Sequence, residues 1–333
     1  MNLYLPHEPY VAGFQKRVTH ARPLAWLALV AALAFPLDAR ASSQEAEPLR
    51  VTEVAPGVFV HVGVHQDATP DNLGDIANIG FIVGERGVAV VDTGNTRNLG
   101  LRLREAVRAE TDLPILYVIN THVHPDHIFG NAAFSEDSPE FVGHAKLTAA
   151  MANRGPFYLE ALVEFVGAQN AEGTEIIPPS LTVEAGRPLE LDLGGRSLRL
   201  TAHPTAHTDN DLTVTDVATG TLWTGDLVFV ERIPSIDGSL LGWVRVLEEL
   251  RRWQAERIVP GHGPATADWP KAMADELRYF SVLLRDIRKL IRGGGTIEEA
   301  VAVAGRKERT KWALFDDYNP RNVTAGFVEL EWE

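Results

Sequence analysis

No cysteine occurs in the 333 residues. That excludes a disulfide framework, a thiolate metal site and a cysteine nucleophile together. Neither a G-x-S-x-G elbow nor a phosphate-cradling glycine loop is present, so serine-hydrolase and nucleotide-binding chemistry lack their usual frames. Basic residues are in short supply, with Lys and Arg totalling 31 against 45 Asp and Glu, a net charge of −14. No basic stripe interrupts that excess, and a chain this acidic repels nucleic-acid phosphate at long range. No nucleic-acid partner is expected. Long apolar runs are missing as well. Leu24 to Phe35 reaches only twelve residues, too few to cross a hydrocarbon core of roughly 30 Å as a helix.

That run has a telling context. Lys16, Arg17 and Arg22 precede it, and Ala39-Arg40-Ala41 closes it with small outer residues. A positive stretch, an apolar stretch and an A-x-A site in this order read as a cleaved export signal over residues 1–41. The mature chain is then expected to start near Ser42, in a bacterial periplasm, without a retained membrane anchor. Lys16-Arg17 does not decide between the two export routes. Losing four basic and two acidic residues leaves 27 Lys and Arg against 43 Asp and Glu, a net charge of −16.

Hydrophobic residues make up 45% of the chain, enough for a sizeable core. From Val51 strands and helices alternate. Val58 to Val62, Gly80 to Val83 and Val88 to Val91 read as strands, with a tight turn at Glu85-Arg86-Gly87. A helix carrying Leu99, Leu103, Ala106 and Val107 follows, then a buried strand, Ile115 to Ile119. A helical middle lies around Leu159 to Val166, and a second strand-rich stretch runs from Leu181 to Trp223. Two strand batches, each followed by helices, suggest two similar halves forming a sandwich between helical layers. The tail is helical: Met273, Leu277, Phe280, Leu284, Ile287 and Ile291 form one apolar stripe, with Pro270 in its first turn and Gly293-Gly294-Gly295 stopping it. Thr296 and Glu299 make a capping box for a short helix through Ala304.

Directly after the strand Ile115 to Ile119 comes Thr121-His122-Val123-His124-Pro125-Asp126-His127. Borderline and hard divalent metals take imidazole and carboxylate ligands and leave a position open for water. His122, His124, Asp126 and His127 supply four such groups within six residues. A lone histidine is usually structural, and H-x-H arises by accident. Four ligand groups in H-x-H-x-D-H order after an apolar strand are hard to explain as core packing.

This spacing resembles the metallo-β-lactamase superfamily, and the resemblance continues downstream. His207 in Ala206-His207-Thr208-Asp209-Asn210-Asp211, Asp226 in Leu222-Trp223-Thr224-Gly225-Asp226, and His262 in Pro260-Gly261-His262-Gly263 stand where that family places its remaining ligands, each read here at a strand end. Asp92 in Val91-Asp92-Thr93-Gly94 matches the acid that orients a ligand imidazole from behind. The resemblance implies an α/β fold, the αββα sandwich, over residues 50–265. Residues 266–333 would form a C-terminal helical extension packed on it. It also implies one metal on His122, His124 and His207, a second on Asp126, His127 and His262, and Asp226 bridging them. His124, where diiron flavoproteins of this fold carry an acid, favours two zinc ions, with iron or manganese as part-substitutes. Asp67-Ala68-Thr69-Pro70, Asn78 to Val83, Ile233 to Ser239 and Asn319-Pro320-Arg321-Asn322-Val323 look like the periplasmic zinc metallohydrolases of quinoprotein relay systems and their sulfur-oxidation relatives.

The expected activity is hydrolysis of a small-molecule thioester, or a related thiol-releasing carbonyl compound, by a metal-bridging hydroxide, with Asp126 and Asp226 as the catalytic carboxylates. Alternatives are a β-lactamase or lactonase, a mononuclear iron persulfide oxygenase, and a metal-binding accessory protein for a periplasmic quinoprotein. Substrate contacts and oligomeric state stay open. His61 and His65 read as exposed loop histidines, and His203 as core or support for His207.

Overall fold

A computed structural model describes residues 47–333; the export-signal segment lies outside them. Twelve strands form two sheets. The first holds β1 (Thr52–Ala55), β2 (Val58–His61), β3 (Ile79–Val83), β4 (Val88–Val91), β5 (Ile115–Ile119), β6 (Glu140–His144) and β7 (Leu181–Val183), in that order. It is antiparallel up to β4 and parallel from β4 to β7. The second holds β8 (Leu189–Asp192), β9 (Ser197–Ala202), β10 (Leu212–Asp216), β11 (Thr221–Phe229) and β12 (Arg257–His262), with only β11 and β12 parallel.

The halves are therefore unequal, contrary to the expectation of two similar ones. β7 opens the second strand batch in sequence, yet it pairs with β6 in the first sheet through Val142–Leu181 and His144–Val183. The inner faces meet through Val58, Val60, Ile82, Ala89, Val91, Leu198, Leu200, Leu212 and Val214, all buried. Fully burying such a side chain contributes about 1.5–3 kcal/mol.

Helices cover both outer faces. α1 (Arg97–Glu110) buries Leu99, Leu103, Ala106 and Val107 on the first sheet, and Thr96 caps it by accepting from the Leu99 amide. One turn, α2 (Pro125–Ile128), carries part of the histidine motif. α3 (Leu147–Val166) packs on Val123, Ile128 and Phe129, and a short α4 (Ala168–Ala171) follows. On the second sheet lie α5 (Leu240–Leu250), α6 (Ala274–Arg292), α7 (Ile297–Val303) and α8 (Phe315–Leu330), sharing one core with Leu222, Leu227 and Ile258. The result is the αββα sandwich. The capping box at Thr296 and Glu299 is present. α6 starts at Ala274 because Pro270 precedes a separate 3-10 turn, Lys271–Met273. Among the described residues no helix is long and apolar enough to cross a membrane.

Candidate metal centre

β5 ends at Ile119, and the chain curls over one edge of the sandwich. Pro125 occupies the first turn of α2, where its missing N–H costs nothing. That turn aims Asp126 and His127 to the side that His122 and His124 already face, while Val123 points into the α3 core. His207 sits in the turn after β9. Asp211 shapes that turn by accepting from the Thr208 amide (3.0 and 3.1 Å) and hydroxyl (2.6 Å). Asp226 departs from the strand-end expectation and lies within β11. The register of β11 on β12 shifts on both sides of Gly225, which turns the carboxylate out of the ladder. Gly261 leaves room for it: a Cβ there would stand 2.0 Å from Asp226 Oδ1. His262 closes β12.

All seven residues converge in two groups, His122, His124, His207 with Asp226, and Asp126, His127 with His262. Each imidazole has one nitrogen engaged away from the centre. His127 Nδ1 donates to Asp92 Oδ2 (2.8 Å), His207 Nδ1 to the Ser235 carbonyl (2.7 Å), and His262 Nδ1 to the Ile76 carbonyl (2.7 Å). Thr121 Oγ1 donates to Asp92 Oδ2 (2.8 Å) and so accepts from His122 Nδ1 (3.0 Å). His124 donates from Nε2 to Asp237 Oδ2 (3.2 Å), leaving Nδ1 inward. These partners assign the tautomers of His122, His124 and His207, whose inward nitrogens are left with a lone pair and no proton.

Lone pairs therefore face lone pairs. His124 Nδ1 stands 3.1 Å from His122 Nε2 and 2.9 Å from His207 Nε2. Asp226 Oδ2 lies 3.4 Å from His207 Nε2 and 3.3 Å from His262 Nε2, and Asp226 Oδ1 lies 3.1 Å from His127 Nε2. Asp126 Oδ2 is 3.4 Å from His262 Nε2 and 3.7 Å from His127 Nε2. Ligand atoms about 2.0–2.1 Å from a tetrahedral zinc stand about 3.3–3.4 Å apart from one another. The spacing matches. His127 Nε2 and Asp226 Oδ1 are also buried without a hydrogen-bond partner, which a cation between them resolves. The donor set fits divalent metal.

The electrostatics agree. Burial, then His127, holds His122 well below its usual value, and burial with His124 pushes His207 down to about 3. Both are neutral donors. Burial alone would lower His127, but Asp226, Asp126 and Asp92 outweigh it and raise it well above the usual range, so in the metal-free chain its Nε2 carries a proton where a cation would sit between the carboxylates. Burial works to raise Asp226, yet His262, His127 and His122 pull it well below the normal carboxylate range. The carboxylates call for positive charge at this point.

Several contacts escaped the sequence reading. Asp237 orients His124, and Arg154 of α3 pairs with Asp237. Tyr158, one turn along, lies against His124. Buried Arg232 places Nη1 3.0 Å from His262 Nδ1 and 3.5 Å from the Ile76 carbonyl that both face. Asp237 lies in the segment Ile233 to Ser239 noted by resemblance, without a role at the metals; Arg154, Tyr158 and Arg232 lie in no motif, and each reaches the site from a loop or helix distant in sequence. His61 is corrected from an exposed loop residue: it is 8% exposed and bonded to Asp75 and the Arg50 carbonyl. His65 is half-buried, and His203 is a core residue bonded to Thr213 Oγ1 (2.9 Å), lowered to about 4 by burial and His144.

A family model described as the metallo-beta-lactamase superfamily matches residues 73–262, more than half the chain. The chain belongs to that superfamily, whose members are mostly metal-dependent hydrolases. Among solved structures it is similar to a metallo-beta-lactamase from Pontibacter korlensis, with 19% identity and a TM-score of 0.54 over 70% of this chain and 99% of that one. A metallo-beta-lactamase from Hirschia baltica gives 20% identity and a TM-score of 0.51 over 67% and 93%. One from Erythrobacter litoralis, solved with beta mercaptoethanol in its active site, gives 17% and 0.53 over 69% and 95%. At these identities the likeness is one of fold. No curated protein matches the chain.

Proposed function

We propose that the chain is a periplasmic dinuclear zinc hydrolase acting on a thioester or related thiol-releasing carbonyl substrate, of the kind associated with quinoprotein relay and sulfur oxidation. The observation that carries the metal reading is the set of His122, His124 and His207, each with its N–H turned outward and its lone pair turned toward the others, beside Asp226. His122, His124 and His207 would hold one ion, Asp126, His127 and His262 the other, with Asp226 shared. Bound divalent ions supply Lewis-acid polarisation of a carbonyl and lower the pKa of water.

The chain's own groups do the rest. Asp126 is the more exposed carboxylate, with 14% of its side chain accessible against 4% for Asp226. Burial raises it, but His127 and His262 outweigh that and lower it, so its oxygen is ionised and placed to accept a proton from an attacking water. Leaving-group chemistry sets the substrate class. Tyr158 is the proton-bearing side chain against His124, and burial raises its pKa, which makes it a weak acid toward a leaving group. A thiolate, with a pKa near about 8.5, departs without such help, whereas an amine needs protonation. The export segment supports the periplasmic part of the reading; sequencing the mature N-terminus tests it, with Ser42 expected and an intact Met1 on a cytoplasmic product against it.

The function is tested by metal content and a substrate panel. Elemental analysis should give about two zinc ions per chain; one iron without zinc would replace the hydrolase with an oxygenase. On metal-loaded protein a neutral thioester should exceed its oxygen ester and a β-lactam of similar size in kcat/KM. A lactam that wins by more than about tenfold makes the chain a lactamase instead.

A further inference from the structure

The family match ends at His262, yet α8 reaches back to the metal centre through residues 230–239, the loop between β11 and α5. This loop supplies outward contacts to three of the five histidines: Arg232 at His262, the Ser235 carbonyl at His207, and Asp237 at His124. It has little structure of its own. Among the described residues only one backbone hydrogen bond runs within 230–238, from the Arg232 amide to the Val230 carbonyl. Its shape is imposed from outside.

Three polar residues of α8, spaced four and then seven apart, share one helical face toward it. Asn322 is wholly buried. Its Oδ1 accepts from the Ile236 amide (2.9 Å) and its Nδ2 donates to the Pro234 carbonyl (2.7 Å). The amide thus brackets Ser235, the residue whose carbonyl fixes His207. Tyr318 takes Arg232 Nη2 at 3.2 Å and donates to Asp67 Oδ1 at 2.7 Å. Glu329 accepts from the Ser239 hydroxyl and the Leu240 amide, fixing the loop's far end at α5.

We propose that Tyr318, Asn322 and Glu329 are positioning residues for the metal centre, acting through the 230–239 loop, with Asn322 setting the three-histidine group. This rests on the metal reading above. Partners behind metal ligands typically change metal affinity about 10–100-fold when removed, and Asn322 holds one such partner, the Ser235 carbonyl, from both sides.

Asn319 provides the control. It is equally buried and also hydrogen-bonded at both ends, to the Tyr279 hydroxyl and the Ala304 carbonyl, and meets Asn322 only through that shared hydroxyl, without touching the loop. Zinc affinity of the full chain is measured by chelator competition, with the visible spectrum of the cobalt-substituted protein and the metal-free melting temperature alongside. Asn322→Ala and Asn322→Asp should lose about 10–100-fold in zinc affinity and shift the cobalt spectrum. Asn319→Ala should lose melting temperature while keeping wild-type zinc affinity. Wild-type affinity and spectrum in both Asn322 variants overturn the proposal, as does an Asn319→Ala loss equal to theirs. If the Asn322 variants fail to fold, Tyr318→Phe decides, with a loss of up to about tenfold expected and an unchanged affinity overturning it. A wild-type chain that takes up neither zinc nor cobalt defeats the metal reading itself, and this one with it.

Discussion

The two sides of the metal centre are held in different ways. On the β4–β5 side a single carboxylate does the holding. Asp92 accepts from the Thr121 amide, the Thr121 hydroxyl and His127 Nδ1, all at 2.8 Å, and Thr121 passes the restraint to His122. Asp92 follows directly on β4 and Thr121 lies two residues past the end of its paired strand β5, and both are 2% exposed. Asp92 even takes a left-handed backbone (φ 56) to reach its partners, a strain that persists only where surroundings enforce it. On the other side His124 and His207 depend on a loop that a helix more than eighty residues away keeps in shape. Asp237, the outermost partner, leaves 39% of its side chain exposed. One side is rigid because the sheet makes it so. The other is rigid only while the C-terminal layer stays docked.

The largest effect should come from the sheet side. Asp92→Ala leaves the Thr121 amide and His127 Nδ1–H buried without acceptors, at about 1–3 kcal/mol for each unsatisfied group. Zinc affinity should fall about a hundredfold, read by chelator competition, together with a lower melting temperature. If Asn322→Ala costs more affinity than Asp92→Ala, the comparison is the wrong way round.

A smaller effect belongs to Asp237. Burial raises this carboxylate, but His124 and Arg154 outweigh it and lower it to about 2, so it stays ionised across the working range. Asp237→Ala should reduce kcat/KM about tenfold, because water can reach the exposed edge and partly replace the lost acceptor. Asp237→Asn keeps an oxygen for the His124 Nε2–H and should recover most of that loss. Equal losses in both variants would show that charge, not orientation, is what Asp237 supplies.

The same division explains what was legible in the sequence. His122, His124, Asp126 and His127 follow an apolar strand, so local periodicity and residue type pointed to them; Asp92 closes a neighbouring strand. The loop partners carry no such chemical signal: Ile233 to Ser239 and Asn319 to Val323 stood out by resemblance, without assigning Asp237 or Asn322 to a histidine. Asp237, Arg232 and Asn322 act through contacts made only after the C-terminal layer packs, and an asparagine in a tail has no preferred job until it meets two backbone groups. Two helices were obscured by proline. Gly155-Pro156 hid the first half of α3, where Gly155 makes room for Ile176, a Cβ there standing 2.2 Å from that side chain. Pro320 likewise masked α8. His61 looked exposed because its partner Asp75 lies fourteen residues on, across a loop.

The smallest effect on the site should come from Glu276, which separates the stability of the helical layer from its grip on the loop. Glu276 lies in α6, wholly buried, with neither carboxylate oxygen hydrogen-bonded. Burial pushes its pKa well above the usual carboxylate range. The unfolded chain releases this proton near about pH 4.3, while the folded chain keeps it. The folded state then binds more protons than the unfolded one between those two values, so stability is full below the unfolded pKa and falls as pH rises toward the folded one. Glu276→Gln has no proton to lose. Its melting temperature should therefore gain on wild type as pH rises from 5 to 8. Zinc affinity should not follow the melting temperature, because Glu276 makes no hydrogen bond to Asn322 or to residues 230–239 and meets that side only at the Phe229 backbone. A pH-independent difference would mean that Glu276 is ionised in the fold. An affinity that rose with the melting temperature would mean that layer stability alone, and not the Asn322 bracket, holds the loop side of the centre.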